Sequence, residues 1–278
     1  MSDTRPAPSA TSPALSIVIL SYNAKGDLER CLGALSAHPP ADAEIVVVDN
    51  ASSDGSADTA RRFPGVRVIE AGRNAGFSAG NNIGIRATTG DKILLLNSDT
   101  IVPAGAIDAL VAALDRHPDA AAAGPRIVDG NGRAELSFGP MIAPLAEWRQ
   151  RRLVRGLERG DPDISAKVES MTRREQWPDW VTGACLLVRR SDAEAVGLLD
   201  ERYFLYTEDV DFCAALRARG RRVLFTPAAE IVHLRGRSGA GDAALTRAAY
   251  ERSHLAFYDK HHPMIAPFLR LCRWLGVW

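Results

Sequence analysis

Two short stretches carry most of the oxygen chemistry in this chain. In Asn97-Ser98-Asp99, an amide and one carboxylate follow the aliphatic run Ile93 to Leu96. In Thr207-Glu208-Asp209-Val210-Asp211, carboxylates crowd the start of a helical stretch. Mg2+ and Mn2+ prefer oxygen ligands and often take only one or two from the protein, with substrate phosphates and water filling the rest. Asp99 with an amide oxygen is enough if a diphosphate completes the shell. The same residues can equally cap a helix opening near Pro103. The acids of the second stretch suit a helix N-terminus through the dipole alone. They also repel one another, which raises at least one pKa and suits a general base for an acceptor hydroxyl.

Three further positions can do chemistry. Asp49 closes the run Glu44 to Val48, and its carboxylate can accept a hydrogen bond from the imide of a pyrimidine base. Alternatively, Asp49 or Ser52 caps the next helix. Gly72 to Asn82 (GRNAGFSAGNN) combines glycines that allow close backbone approach with helix-start N–H groups that favour an anion, and it reads equally as a Gly-rich turn. It is not G-x-G-x-x-G, and no such motif follows the first aliphatic run, so a nicotinamide-dinucleotide reading loses its main support. His233 ends an apolar run beside Arg235 and Arg237, where it can serve as a metal ligand or a structural group. His261 and His262, before Pro263, read as surface residues.

These residues need a frame. Leu15 to Leu20, Glu44 to Val48, Val66 to Ile69 and Ile93 to Leu96 read as buried strands. Between them lie helical patterns: Leu28 to Leu35, the segment after Asn50, and about Ser78 to Ala87. Strand–helix alternation with continuously apolar strands predicts an α/β fold, a doubly wound, mostly parallel sheet with helices on both faces. Ligands bind such sheets outside the carboxyl ends of the strands. Those ends are polar, and the first is Ser21-Tyr22-Asn23. Further on, Ala120 to Ile127, Val181 to Val188 and Arg222 to Phe225 read as strands, and Asp129-Gly130-Asn131-Gly132 as a hairpin turn. Val210 to Arg219 reads as a helix, and the charged stretch Arg149 to Glu175 as a mobile surface helix or loop.

Taken in order, "LSIVILSYNAKGDLERCLGAL", "EIVVVDNASSDGS", "RNAGFSAGNNIGI", "ILLLNSDT", "WVTGACLLVRR" and "FLYTEDVDFCAALRARG" resemble the family 2 glycosyltransferases of the GT-A fold, most closely their bacterial rhamnosyltransferase-type members. The resemblance covers about residues 15–262. It implies inverting transfer of a sugar from a nucleotide diphosphate to an acceptor hydroxyl, with Mg2+ or Mn2+ as cofactor. Asp49 would then contact the base, and Tyr22, Asn23, Ser52, Asn74, Gly76, Asn82, Asn97 and Ser98 would line the nucleotide-sugar site. Asp99 would hold the metal, with His233 completing its shell. Asn97 stands where many members have Asp, which implies metal binding that strengthens when the donor arrives. Asp209 matches the catalytic base, with Glu208 the second choice, and Trp180 and Gly183 would face the acceptor. The donor half would span about 15–127 and the acceptor half about 128–262. The donor guess is dTDP-rhamnose and the acceptor a glycan or polyprenyl-linked sugar. A non-catalytic sugar-binding relative and a sugar nucleotidyltransferase are the rivals.

Composition narrows the setting. Lys plus Arg and Asp plus Glu both number 34, so no net field draws the chain to nucleic acid. Cys31, Cys185, Cys213 and Cys272 form no C-x-x-C pair, which argues against a zinc knuckle or disulfide framework and for a cytoplasmic setting. Residues 1–14 read as a disordered tail, and no apolar run approaches the ~20 residues a membrane span needs. The C-terminal stretch 263–278, with Phe268, Leu269, Leu271, Trp274, Leu275 and Trp278 among Arg270 and Arg273, reads as an amphipathic helix. It suits the inner membrane surface, packing on the core or pairing two copies.

Overall fold

The computed structural model describes residues 13–234 and 243–275. The tail up to residue 12, Arg235, Arg237 and Trp278 lie outside the described residues. The chain begins with β1 (Leu15–Ser21), α1 (Lys25–Ala37), β2 (Ala43–Asp49), α2 (Ser56–Arg61), β3 (Val66–Glu70), α3 (Gly76–Arg86) and β4 (Lys92–Asn97). β5 (Thr100–Ile101), α4 (Ala106–Asp115), β6 (Ala120–Val128) and β7 (Phe138–Gly139) follow. Next come α5 (Pro144–Glu158), α6 (Pro162–Thr172), β8 (Trp180–Val181), β9 (Cys185–Arg189) and α7 (Arg190–Ala195). The rest is α8 (Glu208–Ala218), β10 (Arg222–His233), α9 (Ala243–His261) and α10 (Ala266–Trp274).

Eight strands form one sheet in the order β3-β2-β1-β4-β9-β6-β10-β5. Neighbours β3, β2, β1 and β4 pair in parallel, as do β6 and β10. The mostly parallel α/β architecture is therefore the one expected, with two exceptions. β9 runs antiparallel between β4 and β6, and β5 antiparallel on β10. Val181 to Val188, read as one strand, is two, because the chain breaks between β8 and β9 to change sheets. β10 extends well past Phe225, with an irregularity between Thr226 and Glu230 that lets one strand reach His233.

Successive strand residues face opposite sides, and each side has its own core. Ile17, Ile19, Leu94 and Leu96 pack with Leu28, Cys31, Leu32 and Leu110 from α1 and α4. Val18, Ile93 and Leu95 pack on the other side with Ile85, Phe212 and Leu216 from α3 and α8. The stretch Arg149 to Glu175 takes the helical alternative: most of it forms α5 and α6, two regular helices packed on the core. Leu153, Val154, Leu157 and Val168 add to the second core, so the charges cover only the outer faces.

α3 lies close on the sheet because of its glycines. A Cβ at Gly84 would stand 2.4 Å from Val18 Cγ1 and 3.0 Å from Val48 Cγ2. Gly84→Ala gains up to about 1 kcal/mol in helix propensity but overpacks a rigid β-branched surface at about 1–3 kcal/mol. We expect net destabilisation and a lower Tm in thermal unfolding; an unchanged or raised Tm would show that α3 can lift off the sheet.

Candidate active site

The parallel register aligns the polar ends of β1, β2 and β4: Ser21 pairs with Asp49, and Leu20 with Asn97. The loops beyond are stitched together. Asn23, at φ +48°, donates its N–H to Ser52 Oγ at 2.9 Å and accepts from Ser53 N–H at 2.8 Å. Asn23 and Ser52 thus join the loops after β1 and β2, leaving Tyr22 exposed beside them. Asp49 is buried, and its Oδ2 accepts from Ser52 N–H at 3.0 Å. Its Oδ1 is buried without a protein partner. Capping of α2 does not explain Asp49, because Asp54 instead accepts from the Ser56 amide and hydroxyl there. A buried carboxylate oxygen left without a partner is rare and suits a missing donor such as a base imide.

The start of α3 differs from expectation. Asn50, not foreseen, donates to Asn74 Oδ1 at 2.9 Å and Gly76 O at 3.3 Å, and accepts from Ala75 N–H at 2.9 Å. Asn74 Oδ1 also accepts from Gly76 N–H, and Phe77 N–H donates to Phe204 O at 2.6 Å. The amides of Ala75, Gly76 and Phe77 are thus engaged within the protein, which corrects the reading of this helix start as an anion cradle. Gly76 has φ +84°, and a Cβ there would lie 2.5 Å from Phe204 O, so glycine lets the two segments meet. Asn82 is also corrected. Its amide donates to Leu199 O at 2.8 Å and Glu201 Oε1 at 2.9 Å, and accepts from Leu199 N–H. Buried and fully used, it fastens α3 to the 199–201 segment rather than lining a pocket.

Asp99 and His233 meet where β5 pairs with the end of β10, with His233 opposite Thr100. Leu234 N–H donates to Asp99 O at 2.8 Å. His233 Nε2 then stands 3.2 Å from Asp99 Oδ1, and its Nδ1 3.5 Å from Glu135 Oε2. Burial opposes the imidazolium, but the hydrogen bonds and charges of Asp99 and Glu135 outweigh it and hold the His233 pKa up at about 9. The Asp99–His233 contact is therefore an ion pair, and a divalent ion held by these two residues would have to displace the proton between them. No cluster of three His, Cys, Asp or Glu groups able to hold a metal occurs among the described residues. Glu135 orients the imidazole, a carboxylate–histidine arrangement that sequence reading missed. The turn at Asp129 to Arg133 was its available signal, since Glu135 follows directly.

The acids of α8 are sorted into three states. Asp211, 2% exposed in its side chain, pairs with Lys260 Nζ at 2.8 Å and His261 Nε2 at 2.6 Å, and accepts from Tyr203 OH. It pins α9 to α8, and His261 is an ion-pair partner rather than a plain surface residue. His262 is likewise engaged, by Ile142 O at 2.7 Å. Glu208 is buried, and its Oε2 lacks a protein partner. Burial and the Asp209 charge push its pKa well above the usual carboxylate range. Asp209 is half-buried and accepts from Gly183 N–H and Val210 N–H, each at 2.8 Å. Burial raises its pKa while these backbone donors oppose the rise. Glu208 has only its own backbone N–H to favour the charged form, whereas Asp209 also accepts from Gly183 and Val210, so the pair's proton is assigned to Glu208. A Cβ at Gly183 would touch both Asp209 Cβ and the Phe77 ring, so Gly183 and Phe77 border the acid. Trp180 donates to Pro140 O at 2.8 Å and packs against Tyr203, Val210 and Phe257, forming a wall of this region.

A mostly parallel sheet with these residues along its carboxyl edge defines a glycosyltransferase of the GT-A fold. The chain belongs to Glycosyl transferase family 2, whose family model matches residues 16–174. It is 32% identical over 260 residues to the N-acetylglucosaminyl-diphospho-decaprenol L-rhamnosyltransferase of Mycobacterium tuberculosis, covering 89% of this chain and 85% of that one. It is 24% identical over 256 residues to the low-salt glycan biosynthesis hexosyltransferase Agl10 of Haloferax volcanii, covering 91% and 75%. Among solved structures, GalNAc-T7 with UDP, GalNAc and Mn2+ aligns at TM-score 0.63 and 17% identity, over 88% of this chain and 48% of that one. The mannosyltransferase PcManGT from Pyrobaculum calidifontis, in complex with GDP-Man and Mn2+, aligns at 0.62 and 19%, over 96% and 72%. This chain thus spans about half the length of the first of these structures; both likenesses concern the fold.

The Glu208 assignment has a pH signature. A carboxyl whose folded pKa is raised stabilises the fold below its unfolded pKa, about 4.3, and that contribution is lost as pH rises through the folded value. Denaturant unfolding between about pH 5 and 8 should therefore fall less steeply with pH in Glu208→Gln than in the parent. Parallel curves would place the proton elsewhere.

Proposed function

We propose that this chain is a metal-dependent, inverting glycosyltransferase that moves a sugar from a nucleoside diphosphate to a hydroxyl of a glycan or polyprenyl-linked acceptor in cell-envelope polysaccharide synthesis. Rhamnose from dTDP-rhamnose is the first candidate donor. The observation that carries this reading is the setting of Asp209: held by two backbone N–H groups, which favour its charged form, and still partly exposed. Its neighbours are spent, Glu208 by its proton and Asp211 by Lys260 and His261. One available carboxylate supports single displacement. A retaining enzyme of the two-carboxylate type needs a second acid as nucleophile.

In the proposed reaction the acceptor oxygen attacks the anomeric carbon as the bond to the diphosphate breaks. Asp209 takes the hydroxyl proton, and the bonding electrons leave with the diphosphate. Asp49 would accept from the base, with Tyr22 alongside. Asn97 and Ser98 would border the diphosphate, and Phe77, Trp180 and Gly183 the acceptor. Asp99 and His233 would hold Mg2+ or Mn2+, which supplies positive charge to the leaving group when bound. A Gly-rich, cationic loop after β1, as a nucleotidyltransferase needs, has no counterpart in Tyr22 to Gly26. A binding-only relative has no use for a base kept ionised and open.

The rhamnose reading draws support from the 32% identity to the mycobacterial rhamnosyltransferase, whose name specifies a decaprenol-linked acceptor. Such an acceptor lies in a membrane, although no helix among the described residues is long and apolar enough to cross one. We therefore place the protein peripherally on the inner face of the cytoplasmic membrane, through α10. That helix buries Ala266 and Leu269 against Tyr258 and leaves Phe268, Leu271, Trp274 and Leu275 exposed.

Asp209→Asn should abolish transfer, by roughly 100-fold or more, while thermal-shift titration still shows stabilisation by the right nucleotide sugar with Mn2+. Retained turnover refutes the base; equal indifference of parent and variant to every donor refutes the enzyme reading. Phe268→Ser with Trp274→Ser should lower binding to phosphatidylcholine vesicles in sedimentation without lowering Tm. Unaltered sedimentation would leave α10 without a membrane role.

A further inference from the structure

The outward face of α5 is set apart from the rest of the surface. At 100° per residue, Leu145, Trp148, Arg149, Arg152, Arg155 and Arg159 fall within an arc of about 120°. All six are exposed, whereas Leu153, Val154 and Leu157 turn toward the core and Glu147 toward α9. None of these four arginines forms an ion pair with a described residue, although Arg151, on the flank, does pair with Glu147. Glu158, the other acid of the helix, is exposed outside the arc. The Arg152 guanidinium lies over the Trp148 ring at 5.1 Å from its centroid, and Trp148 is 54% exposed. Arg152, Arg155 and Arg159 also rim a shallow groove toward α6, bordered by Asp161 and Ile164.

Among the described residues, many arginines elsewhere have carboxylate partners, including Arg126, Arg173, Arg217, Arg221 and Arg270. The helix dipole favours cations only in the last turn, so it accounts for Arg155 and Arg159 but not for Arg149 and Arg152. An unpaired cationic stripe with a tryptophan and a leucine on the same face is complementary to the headgroup layer of an anionic bilayer, where arginines meet phosphates and the indole sits at the interface.

We propose that α5 is an electrostatic membrane-docking face for anionic lipid, acting beside the apolar contact of α10. This rests on the peripheral membrane placement above and adds a charge requirement to it. The two helices belong to one packed block. Glu147 of α5 binds His254 Nε2 at 2.7 Å and Tyr258 OH at 3.1 Å on α9. Arg273 of α10 donates to Glu251 O at 2.9 Å and approaches His254 Nδ1 at 3.4 Å. Ile142, just before α5, packs with Tyr258, Ala266 and Leu269.

The test is sedimentation of the full chain with two kinds of vesicle, phosphatidylcholine alone and phosphatidylcholine with about one-third phosphatidylglycerol. Each arginine near an anionic surface contributes about fivefold in partitioning. The double variant Arg152→Gln, Arg155→Gln should therefore bind anionic vesicles roughly 20- to 30-fold more weakly, bind neutral vesicles like the parent, and lose the difference in about 1 M salt. Its Tm and its turnover of a water-soluble acceptor should be unchanged. Parent-like binding to anionic vesicles overturns the proposal, and so does an equal loss on both vesicle types. If the Arg variant binds normally while the Phe268, Trp274 variant does not, α5 is refuted and the α10 reading stands. A parent that binds neither vesicle refutes both.

Discussion

The peptide units of Gly183 and Ala184 hold the candidate site together. Ala184 O accepts from Asn97 N–H at 2.9 Å, and Gly183 N–H donates to Asp209 Oδ2 at 2.8 Å. One short turn thus ties the end of β4, with Asp99 two residues on, to the proposed base on α8. The turn exists because β9 enters the sheet antiparallel, between β4 and β6. Its first residues therefore arrive at the edge where its parallel neighbours end. A parallel strand in that place would bring its opposite end to this edge. The Gly183 N–H then helps keep Asp209 ionised, so topology and electrostatics meet in one hydrogen bond.

Charge at this edge is arranged by separate tethers rather than by one field. Asp99 lies against His233, and Glu135 backs the imidazole from its other nitrogen. Asp211 is neutralised from α9, which removes the crowding that bare spacing suggests for the acids of α8. The remaining conflict is local, between Glu208 and Asp209. Burial with one carboxylate oxygen unpartnered resolves it on the Glu208 side, and the Gly183 and Val210 donors on the other. Leaving a proton on Glu208 costs the fold less than burying a second charge beside the first.

The parallel half of the fold was legible because its strands are short, aliphatic and closed by polar residues, and Asp49 and Asp99 stand at those ends, whereas Asp209 was singled out by the acids crowding a helix start. Residues whose role depends on distant partners were not legible. Asn50 serves the start of α3 from 24 residues away, and nothing in its neighbourhood announces that. Asn82 looked like a ligand residue because it stands in a polar, glycine-rich stretch, but its partners come from Leu199 and Glu201. Lys260 and His261 reach Asp211 across some 50 positions. In α5 the helical period was hidden by arginine, which covers a helix with charge while its apolar residues still turn inward.

The approach to α8 shows why the base and the surface helices form one unit. Tyr206 and Thr207 both have left-handed backbone, at φ +67° and +72°, a conformation that costs non-glycine residues free energy unless neighbours enforce it. Here they do. Phe77 N–H holds Phe204 O from α3, Ser253 Oγ donates to Leu205 O at 2.8 Å from α9, and the Tyr206 ring meets Tyr250 of α9. α9 therefore bears on the turn that sets Glu208 and Asp209, and through Asp211 on the first turn of α8 itself. The same helix carries His254 and Tyr258, which grip Glu147 of α5, and Tyr258, which packs against α10. A surface that seated α5 and α10 would fix α9, and through α9 the direction in which the proposed base faces. For the proposed acceptor in a bilayer, that coupling would let docking of the protein set the direction of the proposed base relative to the membrane.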